Sequence, residues 1–429
     1  MNKNILAING GLKTITRPFK KYITLDEREV DAVSEVIRSG NLSSFFANKN
    51  GFLGGKKVNE FERACESYFG VKHAITVNSW TSGLVAAVGA LETEPGDEII
   101  TTPWSMCATA TAILQWNAIP VFADIEDNTF NIDPDEIIKK ITNKTKAIIA
   151  VDIFGHSANI KELRKIADEY NLKLISDSAQ APAATYHGEY AGTLADIGGF
   201  SLNYHKHIHT GEGGILVTND DRLAKKLRLI RNHGEAVIDK EDIDKENQRL
   251  LVNMLGHNFR MGEIEAAIGL VQLSKLNANV KSRQVAAKNL TLGLKNLPGL
   301  ITPITEKNCS HSFYVYAIKI DQNILKVPRS RIIKALESEG VPGIMEGYTN
   351  LHLLPLYQNK IAYGSSGFPW NSPYNDNHHD YTKGICPIAE NLHDKNLIGL
   401  QICMHEFDKE EVDLVIKSFK KVWSALDTL

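Results

Sequence analysis

Short apolar runs alternate with amphipathic segments along most of the chain up to residue 276. The runs have the length and the β-branched content of buried strands, and the segments between them repeat apolar residues at helical spacing. This alternation predicts an α/β fold with a mostly parallel central sheet covered by its crossover helices. The predicted strands are 74–77, 98–101, 119–124, 146–154, 172–177, 198–202 and 215–218.

The pattern changes after a helical stretch at 262–276. One predicted strand and two predicted helices beyond it indicate a smaller α+β domain; they are 311–321, 329–338 and 409–426. A chain of 429 residues also exceeds the usual size of a single domain. We therefore predict a large domain over residues 1–276 and a small C-terminal domain over 277–429.

One lysine stands at the turn between two predicted strands. Lys206 lies in the stretch FSLNYHKHIHTGEGG (200–214), where a β-forming run gives way to a glycine-rich turn. A lysine whose pKa is lowered in such a place has a free amine near neutral pH and can form a Schiff base. An isolated lysine is ordinarily a solvated surface residue, so its neighbours must decide the question.

A carboxylate earlier in the chain favours a chemical role for Lys206. Asp177 closes the apolar run LKLISD and so stands at the carboxyl end of a predicted parallel strand, where open α/β sheets bind ligands. A carboxylate there can pair with the pyridine nitrogen of pyridoxal phosphate and keep the ring an electron acceptor. The alternative is that Asp177 only caps the following helix.

A third element is a hydroxyl-rich segment, NSWTSGL, at 78–84. Ser79, Thr81 and Ser82, together with free backbone N–H groups at a helix start, make an anion site suited to a phosphate. Ser201 adds a hydroxyl five residues before the lysine. Ordinary N-capping by serine and threonine is the alternative interpretation.

These segments together resemble the DegT/StrS-type sugar aminotransferases, pyridoxal-phosphate enzymes of the aspartate-aminotransferase fold. Along essentially the whole chain run NSxTSGL, DSAQA from Asp177, FSxxxxKxIxTGEGG from Phe200 and GHNFRMGEIEAAIGLVQL from Gly256. The resemblance implies Lys206 as the Schiff-base lysine and Asp177 on the pyridine nitrogen.

The resemblance implies further contacts around the same cofactor. Gln180 would lie near the phenolic oxygen, and Thr81, Ser82 and Ser201 would hold the phosphate. Asn258 would reach the phosphate of the neighbouring subunit, which implies a homodimer with shared active sites.

Two positions depart from the family pattern. An aromatic residue usually covers the cofactor ring, and we match that position to Cys107. Either Trp104, three residues earlier, stacks on the ring from a shifted position, or a sulfur covers the ring, and we favour the tryptophan. Trp80 stands where the family commonly has a small residue. The shape of the phosphate site is therefore expected to differ locally.

The substrate entrance is assigned to a polar segment rich in Gly, Pro, Asn and Tyr at 358–384, which predicts a long loop. Together with 348–357 it is expected to border the cofactor, with Tyr348 and His352 as candidate substrate contacts. The alternative is a solvated excursion without ligand contact.

The triplet His205, His207 and His209 has the period-two spacing of a strand-borne metal site. The expected Schiff-base lysine lies in its middle, and no carboxylate or cysteine joins the set. We therefore expect no metal and interpret these histidines as packed or as lining the active site.

Composition narrows the function classes. The net charge is −3, which gives no electrostatic argument for nucleic acid or a membrane surface. The five cysteines are widely spaced without a CxxC pair, as in reduced cytosolic proteins. The polar start of the chain does not resemble a signal peptide, so we expect a cytoplasmic enzyme.

The leading hypothesis is an aminotransferase that passes the amino group of glutamate or glutamine to a keto-sugar in two half-reactions through Lys206. The resemblance suggests a nucleotide-linked hexose destined for surface polysaccharide or a secondary metabolite. The alternatives are a cyclitol (inosose-type) aminotransferase, a sugar dehydratase of the same family, whose members carry histidine in place of the lysine, and a non-enzymatic regulator. No cationic or helix-turn-helix-like feature supports contact with DNA.

Overall fold

The computed structural model describes residues 5–46, 51–234, 254–375 and 379–429. Within them a seven-stranded sheet occupies the centre of the larger part of the molecule. Its strands are β1 (His73–Val77), β2 (Glu98–Thr101), β3 (Ile119–Phe122), β4 (Thr145–Val151), β5 (Lys173–Asp177), β8 (Ile197–Ser201) and β9 (Gly214–Thr218). The short strands β6 (Thr185–Tyr186) and β7 (Glu189–Tyr190) form a separate hairpin.

Across the sheet the strands follow the order β1-β9-β8-β5-β4-β2-β3. Strand β9 runs antiparallel to both of its neighbours, and the other adjacent pairs are parallel. The mostly parallel α/β fold expected from the sequence is confirmed. Strand β4 ends at Val151, earlier than predicted, because the chain turns at Phe154, whose φ is 56°.

Capping residues set the beginnings of several helices. The Asp133 side chain accepts a hydrogen bond from the backbone N–H of Asp135, and Pro134 occupies the first helical position. The helices are α1 (Glu27–Ser39), α2 (Lys56–Phe69), α3 (Trp80–Ala90), α4 (Ala108–Leu114), α5 (Pro134–Lys140), α6 (Ile160–Glu169), α7 (Asp221–Arg231), α8 (Glu263–Leu294), α9 (Gln322–Leu325), α10 (Arg329–Ser338), α11 (Pro355–Gln358), α12 (Pro387–Asn391) and α13 (Lys409–Trp423). Among these described helices, none combines the length and the apolar composition needed to cross a bilayer.

Apolar side chains cover both faces of the large sheet. Ile75 and Leu216 pack with α3 and α7, whereas their chain neighbours Ala74 and Ile215 pack with α2 and α8. Because successive strand residues point to opposite faces, helices cover both sides of the sheet. Burial on both faces explains why the strands appear in the sequence as continuous apolar runs.

A smaller antiparallel sheet follows in the order β10-β11-β13-β12. Its strands are β10 (Leu300–Ile301), β11 (Tyr316–Ile320), β12 (Ile344–Glu346) and β13 (Leu397–Leu400). Strand β11 starts later than the predicted 311–321 because Phe313 has a φ of 55°, which interrupts extended backbone.

Helix α8 connects the two cores. Leu273 and Leu276 pack in the core beside the large sheet, whereas Leu290 and Leu294 pack in the core of the small sheet. The domain boundary that we draw near Asn277 therefore falls within a continuous helix. The N-terminal residues Leu6, Ile15 and Phe19 also pack in the core of the small sheet.

The predicted loop 358–384 contains no helix or regular strand in its described part beyond Gln358, the last residue of α11. It is not a solvated excursion, because Trp370 and Tyr381 are buried. The Tyr381 hydroxyl donates to the carbonyl of Pro120 (2.8 Å) at the amino end of β3. The loop therefore packs at the edge of the sheet opposite to the carboxyl end of β5, and its described residues do not border the cavity at Asp177.

Candidate active site

One cavity lies at the carboxyl edge of the large sheet, where β4 and β5 end. The first turns of α3 and α4 and the loop between β8 and β9 form its other walls. Ligands of open α/β sheets bind at this edge. The walls include Thr81, Asp177, Gln180, Ser201 and Lys206, five of the residues predicted for the site.

A closed loop carries Lys206 into this cavity. The backbone N–H of Leu202 donates to the carbonyl of Gly213 (2.9 Å), and the N–H of Thr210 donates to the carbonyl of Leu202 (3.0 Å). Gly211 has a φ of 85°, a conformation that glycine adopts without strain. The loop leaves Lys206 only 8 % exposed.

Burial of the amine lowers the pKa of Lys206 to about 8, and the nearby Asp177 carboxylate partly opposes this change. At pH 7.5 a group with that pKa is unprotonated in about a quarter of the molecules. The Nζ atom lies 4.2 Å from the ring centroid of Tyr314, so the protonated amine also has a cation–π contact. Lys206 is thereby available as a nucleophile near neutral pH.

Three donors surround the Asp177 carboxylate. Its Oδ1 atom accepts from Nε1 of Trp80 (2.6 Å) and from the backbone N–H of Ala179 (3.2 Å), and its Oδ2 atom accepts from Oγ1 of Thr109 (2.8 Å). Burial raises the pKa of Asp177 on balance, and these hydrogen bonds and the charge of Lys206 act in the opposite direction. The contacts favour the ionised carboxylate inside a buried site.

The start of α3 presents hydroxyl groups to the cavity. The Ser79 Oγ atom caps the helix by accepting from the backbone N–H of Ser82 (3.1 Å). Thr81 and Ser201 add hydroxyls to the cavity wall, and Ser201 is held by the backbone N–H of Asn203, which donates to its Oγ atom (3.3 Å). The hydroxyls and the positive end of the helix dipole suit a phosphate group.

Gln180 connects the cavity to Tyr348. Its Nε2 atom donates to the Tyr348 hydroxyl (3.2 Å), and its Oε1 atom accepts from the backbone N–H of Phe154 (2.8 Å). Burial raises the pKa of Tyr348 to about 12, so this phenol stays neutral at physiological pH. The amide of Gln180 is fixed at both ends and lies at the cavity wall.

Three predicted residues, Trp104, Tyr348 and His352, are not part of the cavity wall, and Tyr348 is connected to it through Gln180. Trp104 is fully buried, and its Nε1 atom donates to Oδ1 of Asn350 (2.7 Å), so neither face of the indole is presented to the cavity. His352 is also fully buried, with Nε2 at 2.9 Å from Oε1 of Glu390. These positions do not support stacking by Trp104 or substrate contact by His352.

Ser82 and Asn258 lie next to the cavity without forming its wall. The Ser82 hydroxyl donates to Oδ1 of Asn78 (2.7 Å). Asn258 is exposed, its carbonyl accepts from Nδ2 of the same Asn78 (3.3 Å), and its own Oδ1 atom accepts from Nε of Arg260 (2.9 Å). Asn258 is therefore placed at the outer side of the α3 start rather than beside Lys206.

Met106 lines the cavity, whereas the adjacent Cys107 does not. Met106 is strongly exposed, and the two sulfur atoms lie 3.6 Å apart. The sequence matches the ring-covering position to Cys107, whereas the side chain in the cavity wall is that of Met106. A thioether can pack against an aromatic ring, so Met106 is the candidate for covering the cofactor.

The three histidines around Lys206 have separate surroundings. His207 is buried, with Nε2 at 2.8 Å from the carbonyl of Ser312, and His205 lines the cavity. His209 accepts from the backbone N–H of Gly211 (3.4 Å). In the part of the chain that the structure describes, no group of three His, Cys, Asp or Glu side chains is placed to hold a metal ion.

Sequence reasoning missed Thr109 and Tyr314, and it noted Trp80 only as a bulky residue in the phosphate segment. Thr109 and Trp80 both donate to Asp177, and Tyr314 lies beneath the Lys206 amine. For Thr109 a signal was available in the four-residue spacing of Ser105 and Thr109 at the start of the apolar helix α4. In the structure their hydroxyls lie 2.7 Å from each other. For Tyr314 there was none, because it lies just before β11, more than a hundred residues further along the chain than Lys206.

Comparison with known proteins identifies the family. The model of the DegT/DnrJ/EryC1/StrS aminotransferase family matches residues 24–372, and the chain belongs to this family. The spore coat polysaccharide biosynthesis protein SpsC of Bacillus subtilis is 34% identical over 80% of this chain and 86% of its own length. GDP-perosamine synthase of Caulobacter vibrioides is 34% identical over 78% of this chain and 85% of its own length. The expected enzyme class, an aminotransferase, is thereby confirmed.

Solved structures show the same fold. Helicobacter pylori PseC, an aminotransferase involved in the biosynthesis of pseudoaminic acid, has a TM-score of 0.77 at 29% identity, over 95% of this chain and 100% of its own. GDP-4-keto-6-deoxymannose-3-dehydratase with a trapped PLP-glutamate geminal diamine has a TM-score of 0.76 at 26% identity, over 94% of this chain and 100% of its own.

The lowered pKa of Lys206 predicts how its reactivity depends on pH. Because only the unprotonated amine attacks a carbonyl group, the rate at which Lys206 captures pyridoxal phosphate should rise about tenfold per pH unit below pH 8 and level off above it. Short pulses of pyridoxal phosphate and cyanoborohydride, with mass analysis of the Lys206 peptide, give this profile. Under the same conditions Nα-acetyl-lysine serves as the control, and its trapping should still rise beyond pH 9. A Lys206 profile that follows the model compound would contradict the lowered pKa.

Proposed function

We propose that this chain is a pyridoxal-phosphate-dependent aminotransferase that moves an amino group from glutamate or glutamine to the keto group of a nucleotide-linked sugar. One observation carries the proposal: a single cavity combines a buried lysine of lowered pKa, a buried carboxylate and the capped start of a helix. These are the groups that a pyridine ring with an aldehyde and a phosphate requires.

The residues present fit that cofactor. Asp177 would hold its pyridine nitrogen, Lys206 its aldehyde carbon, and Thr81, Ser201 and the α3 start its phosphate, with Ser82 and the Asn258 of a second copy completing the phosphate site. Gln180 would lie at its phenolic oxygen, and Met106 over its ring. When bound, pyridoxal phosphate supplies an electron sink for the substrate carbon.

The protein contributes proton transfer and positioning. The free Lys206 amine would take a proton from the donor's α-carbon and pass it to the carbon that carried the cofactor's aldehyde. In the second half-reaction it would take a proton from that carbon and give it to the sugar carbon that receives nitrogen. Its pKa of about 8 suits both steps near neutral pH. The ionised Asp177 keeps a positive charge on the ring nitrogen.

The choice of sugar rests on the relatives. A GDP-perosamine synthase and a spore coat polysaccharide protein are each 34% identical to this chain, which supports a nucleotide-linked sugar used for a surface polysaccharide. The dehydratase alternative is disfavoured, because its known members carry histidine at the position of Lys206. Tyr348, whose hydroxyl accepts a hydrogen bond from Gln180, is the remaining candidate for contact with the sugar.

The active unit is a homodimer in this proposal. Three large apolar side chains are exposed in segments that carry site residues: Met106 in the cavity wall, Tyr204 two residues before Lys206, and Leu255 three residues before Asn258. Contiguous exposed apolar surface marks interaction sites. A second copy seated there would bury these side chains and could bring its own Asn258 to the phosphate.

The first test concerns Lys206 as the point of covalent attachment. After incubation with pyridoxal phosphate and reduction with borohydride, the peptide that contains Lys206 should carry the added mass, and Lys206→Ala should lose both the label and all transamination. Labelling of a different lysine in the wild type would contradict the assignment.

The second test separates the chemical role of Asp177 from cofactor retention. Asp177→Asn should lower turnover by about two orders of magnitude or more, because the ring nitrogen loses its anionic partner, while the cofactor remains bound through its phosphate. Asp196→Asn is the matched control, since Asp196 precedes the amino end of β8 and pairs with Arg164 (3.0 Å). The control should lose stability and keep turnover. Full turnover in Asp177→Asn would refute the role.

The third test addresses the shared site. Lys206→Ala and Asn258→Ala chains should each be inactive or severely impaired, yet a mixture that has exchanged subunits should recover about a quarter of wild-type activity. Random pairing makes about half of the dimers hybrids, and each hybrid has one of its two sites intact. Activity of the mixture that stays at the mean of the two variants would argue against sites shared between subunits.

A further inference from the structure

Trp80 is a buried residue of the cavity wall, and it is hydrogen-bonded to Asp177. It is the first residue of α3 and only 6 % exposed, and its indole Nε1 atom donates to Oδ1 of Asp177 at 2.6 Å. This hydrogen bond connects the start of α3 to the end of β5, the strand that carries Asp177. It is the shortest of the three hydrogen bonds to Asp177.

Two glycines leave the space that the indole occupies. A Cβ atom at Gly199 would lie 2.1 Å from Cζ3 of Trp80, and one at Gly83 would lie 2.7 Å from Cε3. Gly199 lies in β8, paired with Asp177, and does not have a positive φ. Gly83 lies inside α3, where glycine is an unfavourable residue. Space for the indole therefore favours glycine at both positions, and at Gly199 the carbonyl oxygen of Ile215, 2.3 Å from the same Cβ position, excludes a side chain as well.

The donors divide unequally between the two oxygens of Asp177. A carboxylate offers about two acceptor directions on each oxygen. Trp80 and Ala179 take both directions on Oδ1, whereas Thr109 takes one on Oδ2. The direction that remains for another donor is therefore on Oδ2.

We propose that Trp80 is a positioning residue for Asp177, which fixes the carboxylate through Oδ1 so that Oδ2 receives the N–H of the cofactor's pyridine ring. The inference rests on the proposed function for the identity of that ring. It assigns a role to a tryptophan that would otherwise be only a bulky residue in the phosphate segment.

The charged and titratable groups that act on Asp177 are Lys206 from the β8–β9 loop, Asp152 after β4 and Tyr348. Lys206 favours the ionised form, and Asp152 opposes it. Removing the indole donor leaves these groups in place and takes away one contact to the charged form. The midpoint of Asp177 should therefore move upward.

The test compares two Trp80 variants with one matched control. Trp80→Phe removes the donor together with part of the ring, and benzothienylalanine incorporated at position 80 removes the N–H while keeping the shape. Trp116→Phe is the control, because Trp116 also packs on a glycine of α3, Gly89, and its Nε1 donates to the carbonyl of Val85 (2.7 Å). All three variants lose one indole hydrogen bond.

Two readouts are taken for each protein. The first is the ratio of dissociation constants for pyridoxal phosphate and its 1-deaza analogue, which has carbon in place of the ring nitrogen. The second is the titration midpoint of the ¹³C-labelled Asp177 carboxyl in the cofactor-free protein, assigned by its loss in Asp177→Asn.

In both Trp80 variants the preference for pyridoxal phosphate over the analogue should fall about tenfold, the factor expected for one hydrogen bond to a charged group. The Asp177 midpoint should rise by about one pH unit. Trp116→Phe should change neither. An unchanged preference and midpoint in the benzothienylalanine protein would overturn the role of Trp80.

The same measurements separate this inference from the proposed function. A wild-type protein that binds neither pyridoxal phosphate nor its analogue would refute the proposed cofactor, while the midpoint of Asp177 would still decide whether the indole holds the carboxylate. A wild type that prefers pyridoxal phosphate, with the same preference in both Trp80 variants, would refute only the positioning role.

Discussion

A carboxylate buried without partners costs on the order of several kcal/mol, and Asp177 is buried at the end of a central strand of the sheet. The surrounding elements satisfy this requirement from three directions. Trp80 donates from the start of α3, Thr109 from the first turns of α4, and Ala179 from the chain just after β5. The starts of α3 and α4, which form part of the cavity wall, thus also donate hydrogen bonds to the Asp177 carboxylate.

Lys206 and Asp177 affect each other through the same burial. Desolvation lowers the pKa of the amine and raises that of the carboxyl, and the attraction between the two charges opposes both changes. For the amine, desolvation is the larger effect, so a free base is available near neutral pH. A pyridinium ring between them would give Asp177 a cation of its own, which lets Lys206 lose its proton without leaving the carboxylate unpaired.

The sequence was sufficient for the features that depend on strand ends and local spacing. Asp177 could be placed at the carboxyl end of β5 because an apolar run ends there, and Lys206 could be placed on a turn because of the glycines that follow. Both lie at the cavity wall. The parallel order of the strands follows from the same alternation of apolar runs and helical segments.

Features set by side-chain packing between distant segments could not be predicted. His352 belongs to a segment expected near the substrate, but its ring is buried beside Glu390. The composition of the loop that ends at residue 384 suggests a position beside the substrate. In the structure its Tyr381 packs at the start of β3. The position of the Trp80 indole requires the absence of a side chain at Gly199, more than a hundred residues away, and only the folded chain brings these two residues together.

If the site works as proposed, an ionised Asp177 holds a proton on the nitrogen of a bound pyridine ring. Nuclear magnetic resonance of the protein loaded with ¹⁵N-labelled pyridoxal phosphate reads the state of that nitrogen directly. We expect a protonated nitrogen, with the chemical shift of a pyridinium and a one-bond N–H coupling at pH 8, and we expect Asp177→Asn to lose both. A wild-type spectrum with the shift of an unprotonated pyridine would contradict it.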